Sequence, residues 1–257
     1  MRKSRLSISR QRLVELTVVV LGVLIALGLE NLIQEARYRA DARDLERALI
    51  SDLTIAVELS LERQAIAPCL TARLRDIGDR VDAATEVIEA VDVVQSSAGR
   101  GLVRPLVYRT PSRTWITASF DRAISSEAFK RIPSERAASY TRLFAAIRIQ
   151  GERNAEEYFM AGDLGYLFYP RSIMNEEIRV ETLNKISTLD RYQHLITLVS
   201  RQIVENLLSL PEIGEDVRLA FGSDVRRRKE FEASIRSNYG DCADLTVFDR
   251  LNSPAAS

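Results

Sequence analysis

The sequence predicts an all-α protein in which an N-terminal transmembrane helix continues into a stalk and is followed by an extracytoplasmic helical bundle. Three observations predict it. An uncharged run of Val, Leu, Ile, Gly and Ala lies near the N-terminus, and no Gly or Pro interrupts the chain between Leu29 and Ala67. Apolar residues recur at helical spacing along most of the remainder. Alternating strand patterns are nearly absent, with Gly101 to Tyr108 the one short candidate.

The anchor comes first. Leu16 to Leu29 carries no charge, yet these residues cover only about 21 Å of helix. Adding Leu13, Val14, Leu32 and Ile33 extends the run to about 31 Å, the thickness of a hydrocarbon core. Glu15, Glu30 and Asn31 then fall near the two interfaces, where a carboxylate costs far less than at the bilayer centre. Two rivals exist. Arg2, Lys3, Arg5, Arg10 and Arg12 would suit the n-region of a cleaved signal peptide, but Ala26-Leu27-Gly28 is a poor cleavage site and the helical periodicity runs on past it. The other rival is the buried core helix of a soluble protein. Arg37, Arg39, Arg43 and Arg47 follow the span almost as densely as the basic tail precedes it, so counting charges barely orients it. A short, strongly basic tail resists crossing, whereas a large domain translocates largely regardless of charge. The tail is therefore assigned to the cytoplasm and the domain to the far side.

The stretch Val14-Glu15-Leu16-Thr17-Val18-Val19-Val20-Leu21-Gly22-Val23-Leu24-Ile25-Ala26-Leu27, followed by Glu30-Asn31, resembles the N-terminus of an uncharacterised family of bacterial single-span membrane proteins. Members open with a Glu before a Val/Leu-rich run and often place Trp after the Asn, where this chain has Leu32. The resemblance implies an inner-membrane anchor and a domain of unknown function. It transfers no catalytic residue.

Beyond the span, Leu45, Leu49, Leu53, Val57 and Leu61 repeat at i+4 between charged residues, the pattern of an amphipathic helix. This gives a basic tail (1–12), a span (13–33), a stalk (34–67), a helical domain (68–251) and a disordered tail (252–257). Pro68, Pro105, Pro111, Pro133, Pro170 and Pro211 punctuate the domain. Thr110-Pro111 suits N-cap and N1, and Gly222-Ser223-Asp224 suits a break and a new start. Leu189, Ile196, Ile203 and Leu210 stand at heptad spacing with Val199 beside them, which favours helix-on-helix packing. A Ser/Gly-containing loop is expected around Ser96 to Arg104.

Lys+Arg and Asp+Glu both number 36, so no global field steers the chain toward nucleic acid. There are two cysteines. In an oxidising compartment Cys69, at a helix junction beside Pro68, and Cys242, after Tyr239-Gly240-Asp241, would pair and tie the tail to the stalk; two unrelated buried thiols are the alternative. Without a CxxC, thioredoxin-like chemistry is unsupported. His194 is the only histidine, which leaves a multi-His metal site or a Ser-His-Asp relay almost nothing to work with, and it reads as structural. No cofactor is expected. Gly99-Arg100-Gly101 is a turn rather than a phosphate loop. Glu156-Glu157 and Glu176-Glu177 are adjacent rather than facing, and are assigned to solvated helix faces.

Two groups stand out as candidate contacts. Tyr158, Phe159, Tyr166, Phe168 and Tyr169 surround Gly162 and Gly165 and would line a ligand pocket or partner contact, or else pack in the core, as Trp115 is expected to do. Arg226, Arg227, Arg228 and Lys229 form a basic run suited to anionic headgroups or an acidic partner, flanked by Asp224, Glu230 and Glu232. The reading is a membrane-anchored interaction or scaffold module without catalytic activity, held in the lipid bilayer by its first helix and meeting an unknown protein partner. A homo-oligomer through the stalk is one way to cover the stalk's apolar stripe. An extracytoplasmic ligand-binding sensor is the runner-up, and a membrane-bound hydrolase the third reading.

Overall fold

A computed structural model describes residues 4–92, 107–222 and 225–251. The loop expected at Ser96 to Arg104, most of the strand candidate, Ser223-Asp224 and the tail from Asn252 lie outside them, as does the side chain of Arg227. The described end of that candidate, Val107 and Tyr108, is a bend, not a strand.

The architecture is all-α. α1 (Ser4–Ala83) is one helix of 80 residues, about 120 Å long at 1.5 Å per residue. β1 (Val87–Ile88), α2 (Ala118–Ala123), α3 (Ser134–Gly162), β2 (Ser172–Ile173), α4 (Glu176–Leu208), α5 (Pro211–Gly222) and α6 (Val225–Tyr239) follow, with short 3-10 turns at Phe129–Arg131, Gly165–Phe168 and Leu245–Leu251. β1 and β2 pair antiparallel, Val87 opposite Ile173 and Ile88 opposite Ser172. Neither had a legible strand pattern.

α1 is the axis of the molecule. Its apolar stretch from Val14 to Ile33 is fully exposed. Beyond Ala42 the same rod enters the bundle, where Leu49, Leu53, Val57, Leu61, Ile66, Leu74, Ile77 and Val81 are buried. The segment expected as a stalk is thus the bundle's central helix, its stripe covered mainly by α4 and α5 of the same chain. α3 runs parallel to α1, since Arg136 pairs with Glu46 and Glu157 with Arg63. α4 returns antiparallel: Arg179 near its start donates to Thr85 O at 3.0 Å, just past the end of α1, and Gln193 further along donates to Ala67 O at 3.3 Å. Leu189, Ile196 and Ile203 form the buried seam of α4, as their spacing predicts. Asn175 caps that helix, its Oδ1 accepting from Ile178 N–H at 2.9 Å.

Two prolines behave differently from expectation. Pro68 lies inside α1 rather than at its end, so Cys69 is within a helix and not at a junction. A proline removes one ladder donor and crowds the preceding turn; on this turn other carbonyls are met from outside the helix, Ala65 O by Asp244 N–H at 2.8 Å and Ala67 O by Gln193. Thr110-Pro111 starts no helix. Thr110 is buried, and this segment is drawn across α1 by Arg113, which pairs with Glu62, so α2 begins only at Ala118.

Candidate functional site

From Ser60 to Ile66 every residue of α1 is buried. Protein therefore surrounds the helix on all sides at this level, and its polar side chains must find partners in the bundle or destabilise it. Successive residues diverge by about 100° around a helix, so Glu62 and Arg63 address different neighbours. Arg63 Nη1 and Nη2 donate to Glu157 Oε2 and Oε1 at 2.7 and 2.6 Å, a fork between side chains 2% and 0% exposed. The Tyr108 hydroxyl donates to Glu157 Oε1 at 3.3 Å. Glu62 accepts from Arg113 Nε and Nη2 at 2.9 and 2.7 Å.

Burial pushes the Tyr108 hydroxyl well above its usual range, and the Glu157 carboxylate pushes the same way. The phenol stays protonated and remains a donor. Tyr239, beside the Glu62–Arg113 pair, is pushed up to about 12, first by burial and then by Glu62. Nearer the apolar end of α1, Gln150 Nε2 donates to Ile196 O at 3.0 Å and Ser200 Oγ at 2.7 Å, linking α3 to α4. This polar layer fixes the register of α1, α3 and α4. Its core lies too deep for a solute to touch while the bundle is closed.

The sequence placed both members of Glu156-Glu157 on a solvated face, and for Glu157 that is corrected. Glu156 is exposed and pairs with Arg153 at 2.7 Å, while Glu157 is wholly buried. The signal was present in the periodicity: Tyr140, Leu143, Phe144, Ile147, Gln150, Asn154, Glu157 and Ala161 form one buried stripe of α3. It turns from apolar to polar midway, so a search for apolar residues alone loses it.

Next to this layer Cys69 and Cys242 come together, their sulfurs 2.04 Å apart, at disulfide distance, across 173 positions of sequence. Gly240 makes the connection, with φ of 81° at the end of α6 turning the chain back toward α1. Asp244 then docks on Ala65 O, so the cysteine pair and a main-chain bond clasp the C-terminal segment to α1 around Pro68. On the other side of Pro68 an open groove of about 470 Å³ runs between α1 and α4. Thr71, Arg75, His194, Thr197, Arg201 and Asp244 line it, and His194 is exposed there rather than packed in the core.

The five aromatic residues do not converge. Tyr158 and Phe159 meet edge to face at 6.1 Å, as do Phe168 and Tyr169 at 5.6 Å. Phe159 and Tyr169 stand 74% and 59% exposed, while Tyr166 turns inward and bonds the Thr182 hydroxyl. Trp115 packs against the core with its Cβ 3.0 Å from where a Cβ on Gly151 would lie, so a larger residue there would push the indole aside by a few tenths of an ångström. The basic run is divided. Arg226 and Lys229 are exposed, whereas Arg228 pairs with Glu232 at 2.8 Å and lies over the Phe221 ring. Among the described residues no group of three or more His, Cys, Asp or Glu side chains could hold a metal ion. No protein-family model, no curated protein and no solved structure matches this chain.

Proposed function

We propose that this chain is a single-span protein of a bacterial inner membrane, with its N-terminus in the cytoplasm and its bundle outside, acting as an interaction or scaffold module. The observation that carries the reading is α1 itself. One unbroken helix has an exposed apolar stretch of membrane length at one end and forms the encased axis of a bundle at the other. Such a rod presents the bundle at a defined height and orientation, as a platform for a partner requires. The cysteine pair supports an oxidising compartment, where a bond at this position would persist.

Thiol labelling in intact cells tests it, with and without reductant, on the wild type and on Cys69→Ser and Cys242→Ser. Wild type should resist an impermeant reagent until reduced, and each single variant should expose its remaining thiol. Labelling of both thiols without reductant, and only after permeabilisation, would place the bundle in the cytoplasm and overturn the orientation. One observation favours the sensor reading instead: the Pro68 groove, with His194, Arg75 and Arg201 at its walls, is of a size that holds small ligands. Its expected location beside the aromatic cluster is not where this groove lies.

A further inference from the structure

The lowest contact of the bundle with α1 lies immediately past the apolar stretch. Arg131, in the 3-10 turn between α2 and α3, reaches down to Glu35 at 3.0 Å and places its guanidinium over the Tyr38 ring, 5.4 Å from the centroid. Gln34 donates to the Tyr38 hydroxyl at 2.8 Å, and Arg39 pairs with Glu35 at 3.2 Å. Ile33 closes the apolar run. Glu35 and Tyr38 therefore sit about 3 and 8 Å beyond it along the helix axis, and the headgroup layer on each side of a bilayer is roughly 5–8 Å deep.

We infer that Gln34, Glu35, Arg37, Tyr38, Arg39 and Arg131 form a collar in the phospholipid headgroup layer, which seats the base of the bundle on the membrane and binds anionic headgroups. The inference rests on the reading of Val14 to Ile33 as a membrane span, and it holds for either orientation. Three guanidinium groups crowd this level. Arg39 and Arg131 share the single Glu35 carboxylate, and Arg37 has no ion-pair partner among the described residues. Glu30, one turn inside the apolar end, and Asp41, one turn beyond Arg37, are the other carboxylates on this part of the helix; Asp41 stands about 12 Å past Ile33 along the axis, outside the headgroup depth. Within the headgroup depth three guanidinium groups thus face the one Glu35 carboxylate, on side chains that stay accessible: Arg39 is 69% and Arg131 43% exposed. Guanidinium groups match phosphate oxygens in a two-pronged geometry, and a tyrosine at this depth suits the interfacial belt. Arg131 is the one member contributed from outside α1. It fixes the tilt of the bundle against the span, which a contact within α1 alone could not do. Lys130 and Glu127 beside it are paired with each other and exposed.

The full-length protein in lipid nanodiscs tests this with single tryptophans, the unmodified protein supplying the Trp115 baseline. Val20→Trp reports the span, Lys130→Trp the collar and Phe159→Trp the bundle well clear of the membrane, near the level of Arg63. Lipids carrying a headgroup nitroxide should reduce the added fluorescence of Lys130→Trp and leave Phe159→Trp bright, while acyl-brominated lipids reduce that of Val20→Trp. A bright Val20→Trp in brominated lipid means that the anchor reading itself has failed. Quenched Val20→Trp with Lys130→Trp as bright as Phe159→Trp keeps the anchor and overturns the collar. For the headgroup contact, association of spin-labelled phosphatidylglycerol is compared with that of phosphatidylcholine. Wild type should prefer the anionic lipid, and the double variant Arg37→Gln, Arg131→Gln should lose that preference while Val20→Trp quenching is unchanged. Equal preference in the two proteins, or none in the wild type, overturns anionic headgroup binding.

Discussion

Both ends of α1 carry large apolar residues, yet they sit in opposite environments. From Val14 to Ile33 the large apolar side chains are 49% to 68% exposed, whereas Leu49, Leu53, Val57 and Leu61 are completely enclosed. On the membrane reading proposed above, the first stretch depends on length and apolarity alone, since one lipid-facing methyl serves as well as another. The second depends on fit: each side chain occupies a space shaped by α3, α4 or α5, and polar groups at the same level must meet named partners. Tolerance to substitution should therefore change sharply along a single helix, at about Ala42.

That contrast can be broken most severely at the clasp. Cys69→Ser should lower the unfolding free energy of the bundle by up to about 5 kcal/mol, the chain-entropy figure for so long a loop. Denaturant titration should then match wild type measured with reductant, and membrane association should be unchanged. Next comes the encased charge. Glu157→Ala should cost about 3–5 kcal/mol because Arg63 is left buried and unpaired, while Arg63→Met with Glu157→Leu should recover most of it. Recovery in the double variant separates the cost of an orphaned charge from the worth of the pair. The comparison itself is sharpened by a matched pair of truncations. Leu53→Ala should cost about 2–5 kcal/mol, and Leu24→Ala should leave bundle stability unaltered in the same titration.

The smallest effect is in pH. Tyr239 holds its proton more tightly in the folded bundle, where it titrates at about 12, than in the unfolded chain, where a tyrosine titrates near 10. Its contribution is complete below pH ~10 and is lost as pH rises toward ~12, roughly 3 kcal/mol in all. Tyr239→Phe should flatten that part of the stability profile. An unchanged slope would show that the ring is solvated in the native state.

Much of this fold was legible because it is periodic. The i+4 run Leu45 to Leu61 and the heptads of α4 each mark the face they bury, and the unbroken stretch after Leu29 predicted the continuous rod. What escaped was whatever depends on a neighbour distant in sequence. Pro68 read as a helix end because the groups that brace its turn, Asp244 N–H and Gln193, come from elsewhere in the chain. Glu157 read as solvated because its partner lies on α1, and Glu62 and Arg63 gave no sign that the helix around them is encased from every side. The short pairing of β1 with β2 has two residues per strand, too few for alternation to show. Cys69 and Cys242 were matched by counting, while Gly240, whose backbone turn lets them meet, was visible only as part of a Tyr-Gly-Asp sequence.

The central position of α1 also sets a timetable for biogenesis. Its apolar face is complete at Val81, but its main cover, α4, spans Glu176–Leu208. Ribosomes add roughly 5–20 residues per second, so the face waits on the order of ten seconds before the helix that shields it exists. The thiol at Cys69 waits longer still, until its mate 173 positions later has been made. During that interval the apolar face of α1 stands without its main cover.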